Sequence, residues 1–293
     1  MKYFRLGASN YVPATHSDIT IIANGKKFNA KSIIFCTEDS VLEKDVPYAL
    51  DNLKHMLANT TKSEKMLKFI RVRNEAILEQ ILTFDGINNI DGFVFPKITQ
   101  YNFLNYMDKF KGHCTFDIMP TLETREVFCL NEMMALRNIF EIYKDNILSL
   151  RIGGNDLLHL LGIRRSKHRT IYETPVGVAI SNLVSIFKPY GYNLTSPVCE
   201  LLADSEILLK EVPLDQEHGL FGKTAIHPDQ IPMIEQFYKV SLEDVEMAHA
   251  ILHPQAKAVF KMHGTMCEVA THFNWAKEIL ARAEIYGIIG VNK

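Results

Sequence analysis

Residues Gly219–Ile231 read GLFGKTAIHPDQI, and two incompatible folds compete for them. The GKT triplet resembles the end of a phosphate-binding loop, which would make the chain a nucleotide hydrolase. That motif, G-x-x-x-x-G-K-[ST], needs a glycine five residues before the second one, so that main-chain N–H groups can wrap a phosphate. Five residues before Gly222 stands Glu217, whose carboxylate would repel phosphate. The triplet also falls late in the chain, inside a run that itself reads as a strand. The phosphate-loop reading is rejected, and the stretch becomes the last strand and turn of a repeating β/α pattern.

Working outward, strands are expected at Tyr3–Ala8, Ser32–Cys36, Leu67–Val72, Gly92–Phe95, Thr115–Met119, Leu148–Ile152, Tyr192–Val198 and Phe221–Ile226. Amphipathic stretches lie between them, clearest at DVPYALDNLKHML, EAILEQILTF, ITQYNFLNYMDKF and TREVFCLNEMMALRNIFEIY. Strands alternating with helices predict a parallel sheet, and eight such units close most economically into an α/β (β/α)8 TIM barrel. The barrel is expected over residues 1–240. A C-terminal helical extension or lid is expected over 241–293, where SLEDVEMAHAILHPQAKAVFKM and ATHFNWAKEILARAEIYG are joined by HGTMCEV. Ser241 ahead of LED is the expected N-cap of that tail.

The 293 residues are 47% hydrophobic and 23% charged, which suits a globular protein with a sizeable core. A formal net charge of −2 gives no general attraction to nucleic acid or anionic membrane, and neither is expected as a partner. Five scattered cysteines (Cys36, Cys114, Cys129, Cys199, Cys267) form no C-x-x-C pair and read as mostly buried, reduced thiols. There is no secretory h-region and no apolar run near the ~18 residues of a membrane span, so the expected location is the cytoplasm.

In a barrel of this kind the reactive side chains gather where strands end. Those ends carry Glu38 and Asp39 (CTEDSV), Arg71 and Arg73 (RVRN), Lys97 (PKI), Glu123 (PTLET) and Asp156 (GGNDLL). Each has a plain alternative: a helix N-cap for Asp39 or Asp156, a rim ion pair for Arg71, a solvated surface for Lys97. Five successive strand ends with ionisable groups favour a site for a divalent cation and an anionic substrate. Oxygen ligands without paired His or Cys point to Mg2+, with Mn2+ as the alternative. Glu123 and Asp156 suit direct ligation, and Glu38 and Asp39 suit holding coordinated water.

The motifs CTEDSV, RVRN, FPKI, PTLET, GGNDLL and above all GLFGKTAIHPDQI resemble the citrate lyase β-subunit-like branch of the HpcH/HpaI aldolase superfamily. The order and spacing agree along nearly the whole chain, from YVPATHSD to HGTMCEV. The likeness is strongest to a divergent subgroup of TIM-barrel C–C bond lyases associated with tellurite-resistance and stress gene clusters. The resemblance implies a metal-dependent C–C lyase that works through an enolate of a short keto or hydroxy carboxylic acid or its CoA thioester. It also implies a homo-oligomer, trimer or hexamer. By position it assigns Glu123 and Asp156 to Mg2+, Glu38 and Asp39 to the acidic pair, Arg71 to the substrate carboxylate with Arg73 as a second guanidinium beside it, and Lys97 to the fourth-strand lysine. Glu268 falls where relatives carry a lid acid/base, often supplied by a neighbouring subunit.

Two departures stand out. Relatives begin RS-x-L-F-x-P-G, whereas Gly7 and Ala8 occupy the first two positions here, so an anion-binding arginine is missing and Arg5 is the nearby cation. The loop GIRRSKHRT after Asp156 holds Arg164, Arg165, Lys167, His168 and Arg169, of which Arg164 and Arg165 are expected to bind an anionic substrate, with a solvated basic loop as the plain alternative. Two alternatives follow: an enzyme of the same fold acting on a phosphorylated or nucleotide-linked substrate, or a non-catalytic barrel subunit of a stress-response assembly.

Overall fold

The computed structural model describes residues 1–113, 115–203 and 205–290. Lys2–Ile231 forms one compact unit and the residues from Pro232 onward a second. The first is the expected barrel, built from β1 (Ala8–Pro13), β2 (Ser32–Cys36), β3 (Leu67–Arg71), β4 (Gly92–Phe95), β5 (Asp117–Leu122), β6 (Leu150–Ile152), β7 (Leu194–Thr195) and β8 (Lys223–Ala225). The spatial order is 7-6-5-4-3-2-1-8, every pairing is parallel, and a bridge between Ser196 and Lys223 joins the two ends of the sheet. β2 and β4 are buried at every position, as strands covered on both faces should be.

Helices α1 (Ile19–Ala23), α2 (Val46–Ala58), α3 (Glu75–Leu82), α4 (Phe103–Lys109), α5 (Leu130–Phe140), α6 (Gly154–Leu160), α7 (Pro175–Phe187) and α8 (Glu206–Glu217) lie between the strands. The expected first strand is displaced. Lys2–Leu6 is a 3-10 helix, and pairing begins only at Ala8. Tyr3, Phe4 and Leu6 are buried in that turn, with Phe4 edge-on to Phe221 at 4.7 Å, so aromatic burial near the strand starts claims residues that looked like a strand. Arg5 belongs to the same turn and donates to the Glu64 carbonyl, ahead of β3, so it stands near the strand starts and does not replace the missing arginine.

The second unit contains α10 (Leu242–Leu252), β9 (Val259–Met262), β10 (Thr265–Glu268) and α11 (Val269–Tyr286), preceded by α9 (Gln230–Glu235), which crosses the boundary. Ser241 accepts from the Asp244 N–H as the expected N-cap. The tail is not wholly helical as read from the sequence. Pro254 lacks the N–H a helix needs, the helix stops at Leu252, and an antiparallel hairpin follows. Its two-residue turn, His263–Gly264, has φ values of 45° and 78°, the left-handed pair a tight hairpin requires. Cys267, Ala276 and Ile279 pack with Val245, Ala248 and Ile251 into the core of this unit.

Cys36, Cys199 and Cys267 are buried free thiols, whereas Cys129 is exposed; Cys114 lies outside the described residues. No helix among the described residues is long and apolar enough to cross a membrane.

Candidate active site

The C-terminal ends of the strands surround a cleft of about 420 Å³, lined by Tyr11, Asp39, Arg71, Glu123, Arg151 and Asp156 among others. Arg71 ends β3 and is its hub. Its Nη2 lies 2.6 Å from Glu38 Oε2, 3.0 Å from Glu123 Oε1 and 3.3 Å from Asp39 Oδ2. Lys97 adds a second cation, with Nζ on Glu38 Oε1 and 3.1 Å from Asp39 Oδ1. The four strand-end residues expected to cooperate, Glu38, Asp39, Arg71 and Lys97, therefore form one network with Glu123.

Backbone geometry sets this network. Lys97 follows Pro96 with φ 51°, a left-handed conformation uncommon for a side-chain-bearing residue. There its N–H donates to Glu123 Oε1 at 2.8 Å. Gly153 closes the other side. A Cβ on it would fall 2.2 Å from Glu123 Oε2, so only glycine leaves room for the carboxylate. Asp156, in the first turn of α6, lines the same cleft.

The charges interact strongly. Burial pushes the Glu123 carboxyl up; Arg71 pulls it down, Asp156 pushes it up again, and the net position is about 7. Burial also raises Glu38, while Asp39 is held low despite its partial burial by Glu38, Arg71 and Lys97. Burial would lower Arg71 and Lys97, but their acidic neighbours hold both above the ordinary range.

Two carboxylates of unlike burial meeting at one cleft fit a divalent cation, because it would relieve the repulsion that favours a proton on Glu123. Among the described residues no group of three or more His, Cys, Asp or Glu is arranged to hold a metal. A two-carboxylate donor set is the sparse oxygen set Mg2+ accepts and a poor one for zinc.

Three expected substrate residues are placed elsewhere. On an extended chain Arg73 would stand on the same side as Arg71, but β3 ends at Arg71. Arg73 turns to the 37–43 loop instead, donating to the carbonyls of Thr37, Glu38 and Val41 and pairing with Glu43 at 2.8 Å. It braces the segment that carries Glu38 and Asp39. Arg165 is buried, with Nη1 2.6 Å from Glu211 Oε1 and Nη2 on the Val198 carbonyl, so it does not face solvent as a surface phosphate clamp would. Arg164 is exposed and lies 3.7 Å from Glu200. Glu268 ends β10 in the second unit, where Thr271 Oγ1 donates to its carboxylate and its own N–H donates to His272 Nδ1.

Lys223 of the GKT triplet is fully buried, 2.9 Å from Asp215 and 3.4 Å from Glu211. Burial would lower its pKa, but Asp215 and Glu211 hold it above the ordinary lysine value. Tyr172 donates to Asp215 at 2.5 Å and the Ile171 N–H to Glu211 at 2.7 Å. The lysine is an internal brace between β8 and α8. Gly222, at φ 84°, lies where a Cβ would press on the Gly7 carbonyl at 3.3 Å.

Among the cleft residues that sequence reasoning misses, one carries a charge. Arg151 sits in the middle of β6, buried, with Nη2 donating to Thr224 Oγ1 at 2.6 Å. The signal was a charged residue inside LSLRI, an otherwise apolar strand.

Comparison with known proteins places this geometry in context. The family model described as C–C bond lyase of the TIM-barrel fold matches residues 1–288. A (3S)-malyl-CoA thioesterase of Cereibacter sphaeroides is 23% identical over 294 residues, covering 96% of each chain. The structure of CitE from Mycobacterium tuberculosis in complex with magnesium, acetoacetate and coenzyme A superposes with a TM-score of 0.67 at 21% identity, over 96% of this chain and 99% of that one. RipC from Yersinia pestis gives 0.64 at 19% identity, over 83% and 99%. The citrate lyase β subunit of M. tuberculosis complexed with oxaloacetate and magnesium gives 0.59 at 20%, over 80% and 97%.

Proposed function

Because the chain belongs to the C–C bond lyase family of the TIM-barrel fold, we propose that it makes or breaks a carbon–carbon bond beside the carbonyl of a short keto or hydroxy carboxylic acid, free or as a CoA thioester. Glu123 and Asp156 would hold Mg2+. The observation that carries this reading is the convergence of these two carboxylates with Arg71 on one cleft. The solved complexes with magnesium and acetoacetate or oxaloacetate support it by analogy.

A bound Mg2+ would supply Lewis-acid stabilisation of the negative charge that an enolate places on oxygen. The chain's own residues do the rest. Gly153 and the Lys97 N–H fix the Glu123 carboxylate before substrate arrives, so no reorganisation is needed during reaction. Arg71 holds the acidic groups at a fixed spacing and presents its guanidinium edge to the cleft. Lys97 keeps Glu38 and Asp39 from repelling each other out of position. By its family position Glu268, supplied by a neighbouring copy of the chain, is assigned as the acid/base. The chain is proposed to act as a homo-oligomer in the cytoplasm.

The test is Mn2+ binding by electron paramagnetic resonance, with calorimetry of pyruvate and oxaloacetate in Mg2+. Glu123→Ala and Asp156→Ala should lose both. Retention of metal and keto-acid binding in both variants would sink the assignment. In the loop that suggested a phosphorylated or nucleotide-linked substrate, Arg165 is committed to Glu211 and Arg164 is exposed.

A further inference from the structure

Arg151 is the charge in this cleft that the proposed reaction leaves without a partner. It lines the cleft and is 2% exposed. Its register partners are Thr121 on β5 and Thr195 on β7. Residues in register on parallel strands share a face, so the three side chains form one polar layer across adjoining strands. The guanidinium donates to Thr224 Oγ1 at 2.6 Å, contacts Met119 Sδ at 4.0 Å and stands 5.4 Å from the centre of the Tyr11 ring. All of these are neutral. Among the described residues no carboxylate forms an ion pair with it. Guanidinium stays protonated throughout the physiological range, and burying it away from water is strongly unfavourable unless an anion meets it.

Two further observations point the same way. Thr121 Oγ1 and Thr195 Oγ1, flanking Arg151, are buried and have no hydrogen-bond partner. Of these, Thr121 lines the cleft. Buried hydroxyls seldom go unpaired, and an unpaired one beside an unpaired guanidinium makes a cradle for an acceptor-rich group. The rim cations already have carboxylates: Arg71 Nη2 is engaged by Glu38, Asp39 and Glu123, and Lys97 by Glu38 and Asp39. A divalent cation at Glu123 and Asp156 would offset the remaining excess of carboxylates at the rim, and Arg151 would still call for one anion.

We infer that Arg151, with the hydroxyls of Thr121 and Thr224, forms an anion subsite deep in the cleft, which takes a second carboxylate of the substrate, remote from the reacting carbonyl. The substrate class is then a short acid with two carboxylates, or one carboxylate and a thioester carrying another. The inference rests on the proposed function for the metal end of the cleft. It adds a specificity residue that the rim acids do not provide. A planar fork meeting a planar carboxylate selects for that group over a neutral end.

The experiment is a calorimetric titration of the full chain in Mg2+ with malate and with lactate, which differ by one carboxylate. Wild type should prefer malate by about tenfold to a hundredfold, the range of a charge-assisted pair. Arg151→Gln should bring malate down to the lactate affinity and leave lactate unchanged. Arg151→Lys keeps the charge without the fork and should retain part of the preference, guarding against misfolding of the glutamine variant. Thr121→Val should weaken malate a few-fold with no fall in melting temperature, which a structural hydroxyl would not do. A wild type without preference for malate, or without affinity for either acid, overturns the inference. So does a folded Arg151→Gln that keeps the preference. Mn2+ binding in wild type and Asp156→Asn is read separately. Its absence from wild type, with the malate preference intact, sinks the metal assignment and leaves Arg151 standing.

Discussion

Gly153 and Glu123 are packed so closely that no side chain fits between them: a Cβ on the glycine would fall 2.2 Å from one carboxylate oxygen and 2.4 Å from the Glu123 Cβ. Gly153→Ala must therefore push Glu123 off its contacts with Arg71 and the Lys97 N–H. The expected outcome is a stability loss of about 1–3 kcal/mol, as for overpacking in general, with at least tenfold weaker Mn2+ binding. Chemical denaturation and spin resonance on the same sample check both.

The elevated Glu123 carboxyl gives metal-free protein a defined pH response. Its ordinary value of 4.5 is raised to about 7 in the folded state. Below pH 4.5 both folded and unfolded chains carry the proton, and the group's contribution is fully present. As pH rises through 7 the unfolded chain has already ionised, and that contribution, on the order of 3 kcal/mol, is lost. Glu123→Gln cannot titrate, so wild type minus variant should show this fall between pH 4.5 and 7. Urea unfolding at closely spaced pH values measures it; a flat difference would contradict the assignment.

Arg71→Met leaves Glu38, Asp39 and Glu123 without their shared counter-ion. The expected cost is about 3–5 kcal/mol at pH 8, typical of breaking a buried pair. At pH 5 it should be smaller, because Glu123, raised to about 7, carries a proton there and needs no counter-ion. Unfolding curves at the two pH values separate this from simple loss of packing.

Lys223→Met should destabilise the barrel by about 3–5 kcal/mol, since Asp215 would stay buried without its cation. The double variant Lys223→Met, Asp215→Leu should recover most of that, because Glu211 keeps Arg165. Neither ATP nor GTP should shift the melting temperature of wild type. A nucleotide-dependent shift lost in Lys223→Met would restore the phosphate-loop reading.

Much of the barrel was legible because buried parallel strands announce themselves as short apolar runs: Ser32–Cys36 and Gly92–Phe95 were read to the residue. The first strand was not, since Tyr3, Phe4 and Leu6 are apolar for a different reason, packing in a 3-10 turn. The strand-end acids, Arg71 and Lys97 could be gathered from chain order alone, because barrel topology brings strand ends together. Arg73 could not be placed, because its direction depends on where pairing stops. Arg165 looked like one cation of a solvated loop, and its partner Glu211 lies 46 residues away, beyond any local pattern. Arg151 and Lys223 were hidden by their setting: a charge inside an apolar strand reads as an irregularity until its neighbours are seen.

A ring of strands is only as tight as its shortest pairing. β7 is two residues long, and the join to β8 rests on three main-chain hydrogen bonds: Phe221 N–H to the Leu194 carbonyl at 3.1 Å, Ser196 N–H to Gly222 at 2.8 Å, and Thr224 N–H to Ser196 at 3.5 Å. Thr195 and Thr224, which stand beside Arg151, sit on the two lips of that join. Arg151 on β6 already reaches Thr224 on β8 across that join, so a molecule held by both would act as a clasp across the seam.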